Sequence, residues 1–286
     1  MNYRHAYHAG NFADVVKHAS LTLIIEHLKR KATPFRVIDT HAGVGLYDLS
    51  GEQAGKTGEW RQGIARLYGP DAEQLPADIQ SLLSPYLLAV AAENRPGELT
   101  TYPGSPRLAR GLLRPQDRLI VNELHPDDAA ELKALFARDR QTTVLELDGW
   151  VALKSLLPPK EKRGVLLIDP PFEQPGELDR LVRGLNEAVT RFATGIYMLW
   201  YPIKDPRTIS SFHQALAGLG LPKLLICELM LRSPRDTNRL NGTGLAILNA
   251  PWQLDEQLEK LLSFVVGRLG ENDASHRVFW LDMKAA

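Results

Sequence analysis

Cysteine is almost missing from this 286-residue chain, and the single Cys227 excludes any disulfide framework within it. Cys227 sits in the apolar run Leu224-Leu225-Ile226-Cys227-Glu228-Leu229, where a packed thiol is expected rather than a reactive one. Long apolar runs are missing too: no segment approaches membrane-spanning length. Met1-Asn2-Tyr3-Arg4-His5 opens on polar and aromatic residues rather than a basic stretch with an apolar core, so a soluble cytoplasmic protein is expected. Excess charge of one sign is absent, with 34 basic and 34 acidic residues. That balance argues against holding long nucleic acid mainly by counterion release, and any such partner must meet local basic patches. The candidate patches are Arg107, Arg110 and Arg114; Lys160, Lys162 and Arg163; and Arg232, Arg235 and Arg239.

Apolar residues make up 44% of the chain, enough for a substantial core. Phe35–Asp39, Leu119–Glu123, Thr143–Leu147, Val165–Asp169 and Gly195–Trp200 read as apolar strands. Between them lie the helical patterns Pro126 to Arg138, Leu178 to Phe192 and Thr208 to Leu219. This alternation predicts an α/β fold with a mainly parallel, doubly wound sheet, and ligands beyond the carboxyl ends of its strands. Residues 51–97 hold no convincing strand, while Ile79 to Glu93 reads as helix, which suggests a small inserted helical subdomain. Lys223 to Leu231, Gly244 to Leu248 and Val278 to Leu281 read as strands joined by loops, a finish with an antiparallel strand. One domain over 1–286 is expected, with an N-terminal substrate and cofactor segment at 1–20.

The most informative segment is Asp169-Pro170-Pro171-Phe172, directly after an apolar strand. A carboxylate there points into the cleft, and the prolines hold an extended backbone whose carbonyls remain available as acceptors. Phe172 adds a flat face for stacking a base, so the turn suits an exocyclic amine held by the Asp169 carboxylate and the Pro170 carbonyl. Asp39-Thr40-His41-Ala42-Gly43-Val44-Gly45 is a glycine-containing turn without the G-x-G-x-x-G spacing of a dinucleotide site. Glu123 and Asp148-Gly149 close the next two strands, where carboxylates accept hydrogen bonds from ribose hydroxyls and from a base amine. Three such strand ends in succession predict a nucleoside pocket. The run Tyr3 to Asp14, followed by Lys17 and His18 on a helix, is dense in hydrogen-bonding and stacking groups. No metal is expected of His5, His8 and His18, because no Cys or Glu joins them at ligand spacing.

As a set, these residues closely resemble the ribosomal RNA large subunit methyltransferase J family, across nearly the whole chain. The resemblance rests on Tyr3-Arg4-His5, His8-Ala9-Gly10-Asn11, Lys17-His18, Asp39-Thr40-His41-Ala42-Gly43, Tyr102-Pro103-Gly104-Ser105-Pro106, Glu123-Leu124-His125-Pro126, Asp148-Gly149, Asp169-Pro170-Pro171 and Leu199-Trp200-Tyr201-Pro202. It implies a class I S-adenosylmethionine-dependent methyltransferase fold, Rossmann-like, acting on an adenine N6 of 23S ribosomal RNA. By matching motif it implies cofactor contacts at His18, His41, Ser105, Glu123, Asp148, Gly149 and Asp169, with Asp169 as the catalytic residue; the Pro170 carbonyl joins it from the reading of the turn itself. It implies Tyr3 as a substrate contact, for a base extruded from its stack, and His5, Pro171 and Phe172 are expected beside it on the substrate side. Phe172 departs from the family, which often has Tyr there; stacking survives the change and a phenol's role does not. The resemblance also implies a monomer with no obligate protein partner and no membrane. From the residues alone, a DNA adenine methyltransferase, a nucleotide-dependent oxidoreductase and a catalytically silent RNA-binding module remain open alternatives.

Overall fold

The computed structural model describes residues 4–281. In chain order the strands are β1 (Arg36–Asp39), β2 (Leu46–Asp48), β3 (Thr101–Pro103), β4 (Arg118–Asn122), β5 (Thr142–Leu145), β6 (Gly164–Ile168), β7 (Ile196–Ile203), β8 (Leu224–Met230), β9 (Gly242–Leu248) and β10 (Ser275–Trp280). The helices are α1 (Phe12–Lys29), α2 (Glu52–Thr57), α3 (Ala77–Ala91), α4 (Ser105–Leu112), α5 (Pro126–Leu135), α6 (Gly149–Ser155), α7 (Glu177–Arg191), α8 (Pro206–Ala217) and α9 (Leu254–Leu269).

Eight strands form one sheet in the order β10-β8-β9-β7-β6-β1-β4-β5. β5, β4, β1, β6 and β7 are parallel, β9 is antiparallel to β7 and β8, and β10 is antiparallel to β8. From β1 the chain winds outward through β4 and β5, then returns to the other side of β1 for β6. The winding therefore reverses between β1 and β6, and a crevice opens beyond the carboxyl ends of these two strands. This is the mainly parallel, doubly wound sheet with an antiparallel finish that the sequence predicts.

The alternation of side chains along each strand divides the core. Val37, Val165, Leu167 and Met198 face a cluster built with α1, α3, α4 and α9. Ile38, Leu166, Ile168, Tyr197 and Leu199 face the cluster under α6, α7 and α8. α1 is buried along almost its whole length rather than on one stripe. Its first turn is capped by Asn11, whose side-chain oxygen accepts from Ala13 N and Asp14 N at 2.9 and 3.0 Å.

Between the ribbon strands β2 and β3 lie α2, two short 3-10 turns at Glu59–Gln62 and Ile64–Arg66, and α3. Ile79, Leu83, Tyr86 and Val90 of α3 join the α1 core instead of forming one of their own. The stretch expected as a loop between β9 and β10 is largely the helix α9. Leu254, Leu258, Leu261, Leu262 and Val265 fall at helical spacing and are all buried. Cys227 is buried in β8, where burial pushes its thiol far above the ordinary range. Among the described residues no helix is long and apolar enough to cross a membrane.

Candidate active site

Asp39 ends β1 and Asp169 follows β6, so the switch in winding places two carboxylates on either side of one crevice. The Asp169 Oδ2 atom accepts from Lys17 Nζ at 2.6 Å. The same ammonium lies 2.9 Å from Asp14 Oδ1, one turn back on α1. Asp14 Oδ2 in turn meets His5 Nε2 and accepts from Gly10 N, both at 2.9 Å. Burial alone would lower the Lys17 pKa, yet the Asp14 and Asp169 carboxylates override it and hold the group well above its ordinary value. Burial likewise pushes Asp14 upward, but its contact with His5 and the Lys17 ammonium leave it far below the carboxylate range. A chain of polar contacts therefore runs His5–Asp14–Lys17–Asp169 into the crevice.

Asp169 Oδ1 and the Pro170 carbonyl have no hydrogen-bond partner among the described residues. Phe172 sits just beyond at φ 53°, a left-handed backbone that costs a non-glycine residue about 1–2 kcal/mol. Its ring meets Trp200 edge-on, with centroids 5.6 Å apart, and the Lys17 ammonium lies 5.7 Å from the Trp200 ring. Trp200 is fixed by donating from Nε1 to Thr243 Oγ1 of β9 at 2.7 Å. An open pair of acceptors thus stands beside an aromatic wall.

On the other side of β1 the remaining strand ends carry their own polar groups. Gly43 turns the chain at φ 60°, and its N–H donates to Glu123 Oε2 at 2.8 Å, while Glu123 Oε1 accepts from His125 N. Burial raises the Glu123 pKa. Asp148 caps α6 through Oδ1, which accepts from Trp150 N and Val151 N, and leaves Oδ2 without a partner among the described residues. Leu124, Leu147 and Val151, near these two carboxylates along the chain, are exposed apolar residues.

The matching family model is described as "Ribosomal RNA large subunit methyltransferase D, RlmJ" and covers residues 32–282. The chain belongs to this family. It is 42% identical over 282 residues to the ribosomal RNA large subunit methyltransferase J of Escherichia coli strain K12, covering 98% of this chain and 99% of the relative. With the protein of that name from Haemophilus influenzae it shares 40% over 283 residues, 98% of this chain and 99% of the relative. The solved structure of protein LPL1258 from Legionella pneumophila, 34% identical, superimposes with a TM-score of 0.87 over 96% of this chain and 98% of that one.

The other residues singled out in the sequence divide by place. Ser105 opens α4 and donates from Oγ to Asp39 Oδ2 at 2.6 Å; burial nonetheless pushes Asp39 up to about 6. His41 lies against Trp150, and Gly149 leaves room for its ring: a Cβ there would come within 2.4 Å of His41 Nε2. Burial lowers His41 to about 4 and His18 to about 3, so both imidazoles are neutral. His18 is enclosed behind Lys17, its Nδ1 2.7 Å from the Tyr102 hydroxyl, which meets Tyr86 at 2.9 Å. Pro170 is buried and Pro171 half-buried beside Asp169. Tyr3 lies outside the described residues. Among the described residues no group of three or more His, Cys, Asp or Glu is arranged to hold a metal.

Sequence reasoning placed Lys17, Asp14 and Asp39 near informative motifs without giving them a role. Asp14 and Lys17 are three apart on one helix, the only signal of their pairing.

Proposed function

We propose that this protein transfers the methyl group of S-adenosylmethionine to the N6 amine of one adenine in 23S ribosomal RNA. The observation that carries the reading is the half-committed Asp169 carboxylate: Oδ2 is locked to Lys17 and Oδ1 is open beside the open Pro170 carbonyl and the Phe172 ring. Relatives named as large subunit ribosomal RNA methyltransferases supply the RNA part of it.

The residues present fit the cofactor. Glu123, whose oxygens each keep a lone pair after one backbone bond, suits the ribose hydroxyls. Asp148 Oδ2 suits the cofactor's adenine amine, and the exposed Leu124, Leu147 and Val151 suit the faces of that ring. Asp39, Ser105, His18, His41 and Gly149 line or support the space between these carboxylates and Asp169. When bound, S-adenosylmethionine supplies an electrophilic methyl group on a sulfonium.

The chain supplies position and polarity. Asp169 Oδ1 and the Pro170 carbonyl accept the two N–H groups of the target amine and draw its lone pair out of conjugation with the ring. Both acceptors are held in advance, by Lys17 and by the prolines, so little reorganisation accompanies the reaction. Phe172, backed by Trp200, stacks the extruded base, a contact worth about 1–3 kcal/mol. His5 and Tyr3 complete the substrate side.

The test is transfer of labelled methyl to unmodified 23S ribosomal RNA, with the product nucleoside identified, for the native chain and Asp169→Asn. Label on N6-methyladenosine is expected for the native chain, and a fall in turnover of at least about 100-fold for the variant, measured at a temperature where it is shown to be folded. Label on cytosine or on the protein, or near-normal turnover by the folded variant, overturns the reading.

A further inference from the structure

An electroneutral chain acting on a polyanion needs a local grip, and the three basic clusters in the sequence are not equivalent in space. In the first, Arg107 is paired with Glu93, Arg110 with Asp139 and Arg114 with Asp117. In the second, Lys160, Lys162 and Arg163 precede β6, at the end of the sheet opposite the crevice, and Arg163 is used on the Leu28 and Thr33 carbonyls. The third lies in the connection between β8 and β9, residues 231–241, on the crevice side of the sheet. Resting on the RNA reading above, we propose that this loop and Lys204 form a phosphate-binding ridge that holds the RNA strand beside the target base.

The ridge has an anchor and a working face. Arg232 is the anchor, donating from Nε to Glu271 Oε1 at 2.8 Å and from a terminal nitrogen to Leu240 O at 2.9 Å. The buried Asn241 ties the loop to the end of β7: its Nδ2 donates to Asp236 O at 2.7 Å and Lys204 O at 2.9 Å, and its N–H donates to Ile203 O. On the working face Lys204 and Arg239 are exposed and have no acidic partner among the described residues. The exposed Arg235 comes only within 3.5 Å of Asp273, a surface pair too weak to neutralise it against a phosphate. Asp236 is the single acid in the loop, against three arginines.

Position completes the case. β7 carries Trp200 and runs on to Lys204, and β9 and β8 are the next two strands, so the ridge begins roughly 13 Å further along the strands than Trp200 and about 5–10 Å to its side. Thr243 of β9 holds Trp200 and lies two residues past Asn241, which makes the wall and the ridge one rigid piece. A strand whose base enters beside Phe172 would lay its neighbouring phosphates along these cations.

The test is the triple variant Lys204→Ala, Arg235→Ala, Arg239→Ala, with Arg191→Ala on the far end of α7 as comparison. Binding of an unmodified 23S ribosomal RNA transcript is measured over a salt series, alongside kcat, KM for RNA and the Kd for S-adenosylmethionine. The triple variant is expected to raise the RNA Kd and KM at least about tenfold and to flatten the dependence of log K on log salt by about 2, at 0.7–0.9 per lost phosphate contact. Cofactor affinity, melting temperature and kcat at saturating RNA are expected to stay unchanged, and the charge-preserving Lys204→Arg, Arg239→Lys variant to bind as the native chain does. Unchanged RNA affinity and salt slope in the folded triple variant, or an equal loss in Arg191→Ala, would overturn the ridge. The two readings fail separately. A native chain that binds RNA through these cations without methylating it upholds the ridge and sinks the activity; one that methylates while the triple variant binds as tightly does the reverse.

Discussion

Lys17 brings an ammonium group into a place that is 4% exposed and holds it between two carboxylates. Its letter in the sequence is ordinary, and only folding brings Asp169, 152 positions away, into contact with it. Lys17→Met leaves Asp14 buried without its main counter-charge and frees Asp169 Oδ2. It is expected to cost about 3–5 kcal/mol of stability, read by chemical denaturation, and to lower turnover well beyond what lost folded protein explains. The place of Asp169 at the crevice, by contrast, was legible, because a residue directly after an apolar parallel strand stands at that strand's carboxyl end. Asp39 carries a pH signature. Its pKa is raised to about 6, so the folded chain retains a proton that the unfolded chain has released, and this contribution to stability fades as pH rises from about 4 to about 6. Asp39→Asn cannot ionise. Measured against the native chain at pH 4 and pH 7.5, its relative stability is expected to improve at the higher pH by on the order of 3 kcal/mol; a difference independent of pH refutes the assignment.

The strands were readable because runs such as Val165 to Ile168 are buried on both faces and have no reason to carry polar residues. The helix α9 was just as regular but stood among short strands, and its leucines were passed over as loop. α4 and the ribbon β2–β3 were beyond reach for a different reason: three-residue strands and an eight-residue helix are too short for periodicity to register. The inserted segment shows how one element serves another. Gly63, between its two 3-10 turns, lies so close to the α1 cap that an added Cβ would come within 2.1 Å of Gly10 O. Ile64 N donates to that same carbonyl at 2.9 Å, and Glu59 accepts from Asn11 Nδ2. Gly63→Ala must therefore displace Asn11 from its capping position. A stability loss of about 1–2 kcal/mol is expected, together with a disproportionate fall in turnover, because the helix that carries Lys17 begins there.

Across the whole molecule, chemistry and stability are separated along the sheet. The crevice lies at the β1–β6 switch point, whereas the outer side holds an unrelated buried network. There Glu228 Oε1 accepts from the Tyr201 hydroxyl at 2.8 Å and lies 3.0 Å from His213 Nε2, and Arg277 pairs with Oε2. Glu228→Ala strands a buried hydroxyl and an imidazole, so a loss of about 3 kcal/mol is expected with kcat at a permissive temperature within about twofold of native. A comparable loss of kcat in that variant would mean that the two regions are coupled. Fold class could be read from the chain because it follows from alternation alone; strand order could not, and neither could the difference between the three basic clusters, since unpaired and ion-paired arginines look alike in letters. α1 is both the keel of one core layer and the mount for Lys17. Retuning the catalytic centre by moving that lysine along its helix would mean recutting the interior on every side, so variation among such enzymes should concentrate in the loops around the crevice and spare the helix beneath it.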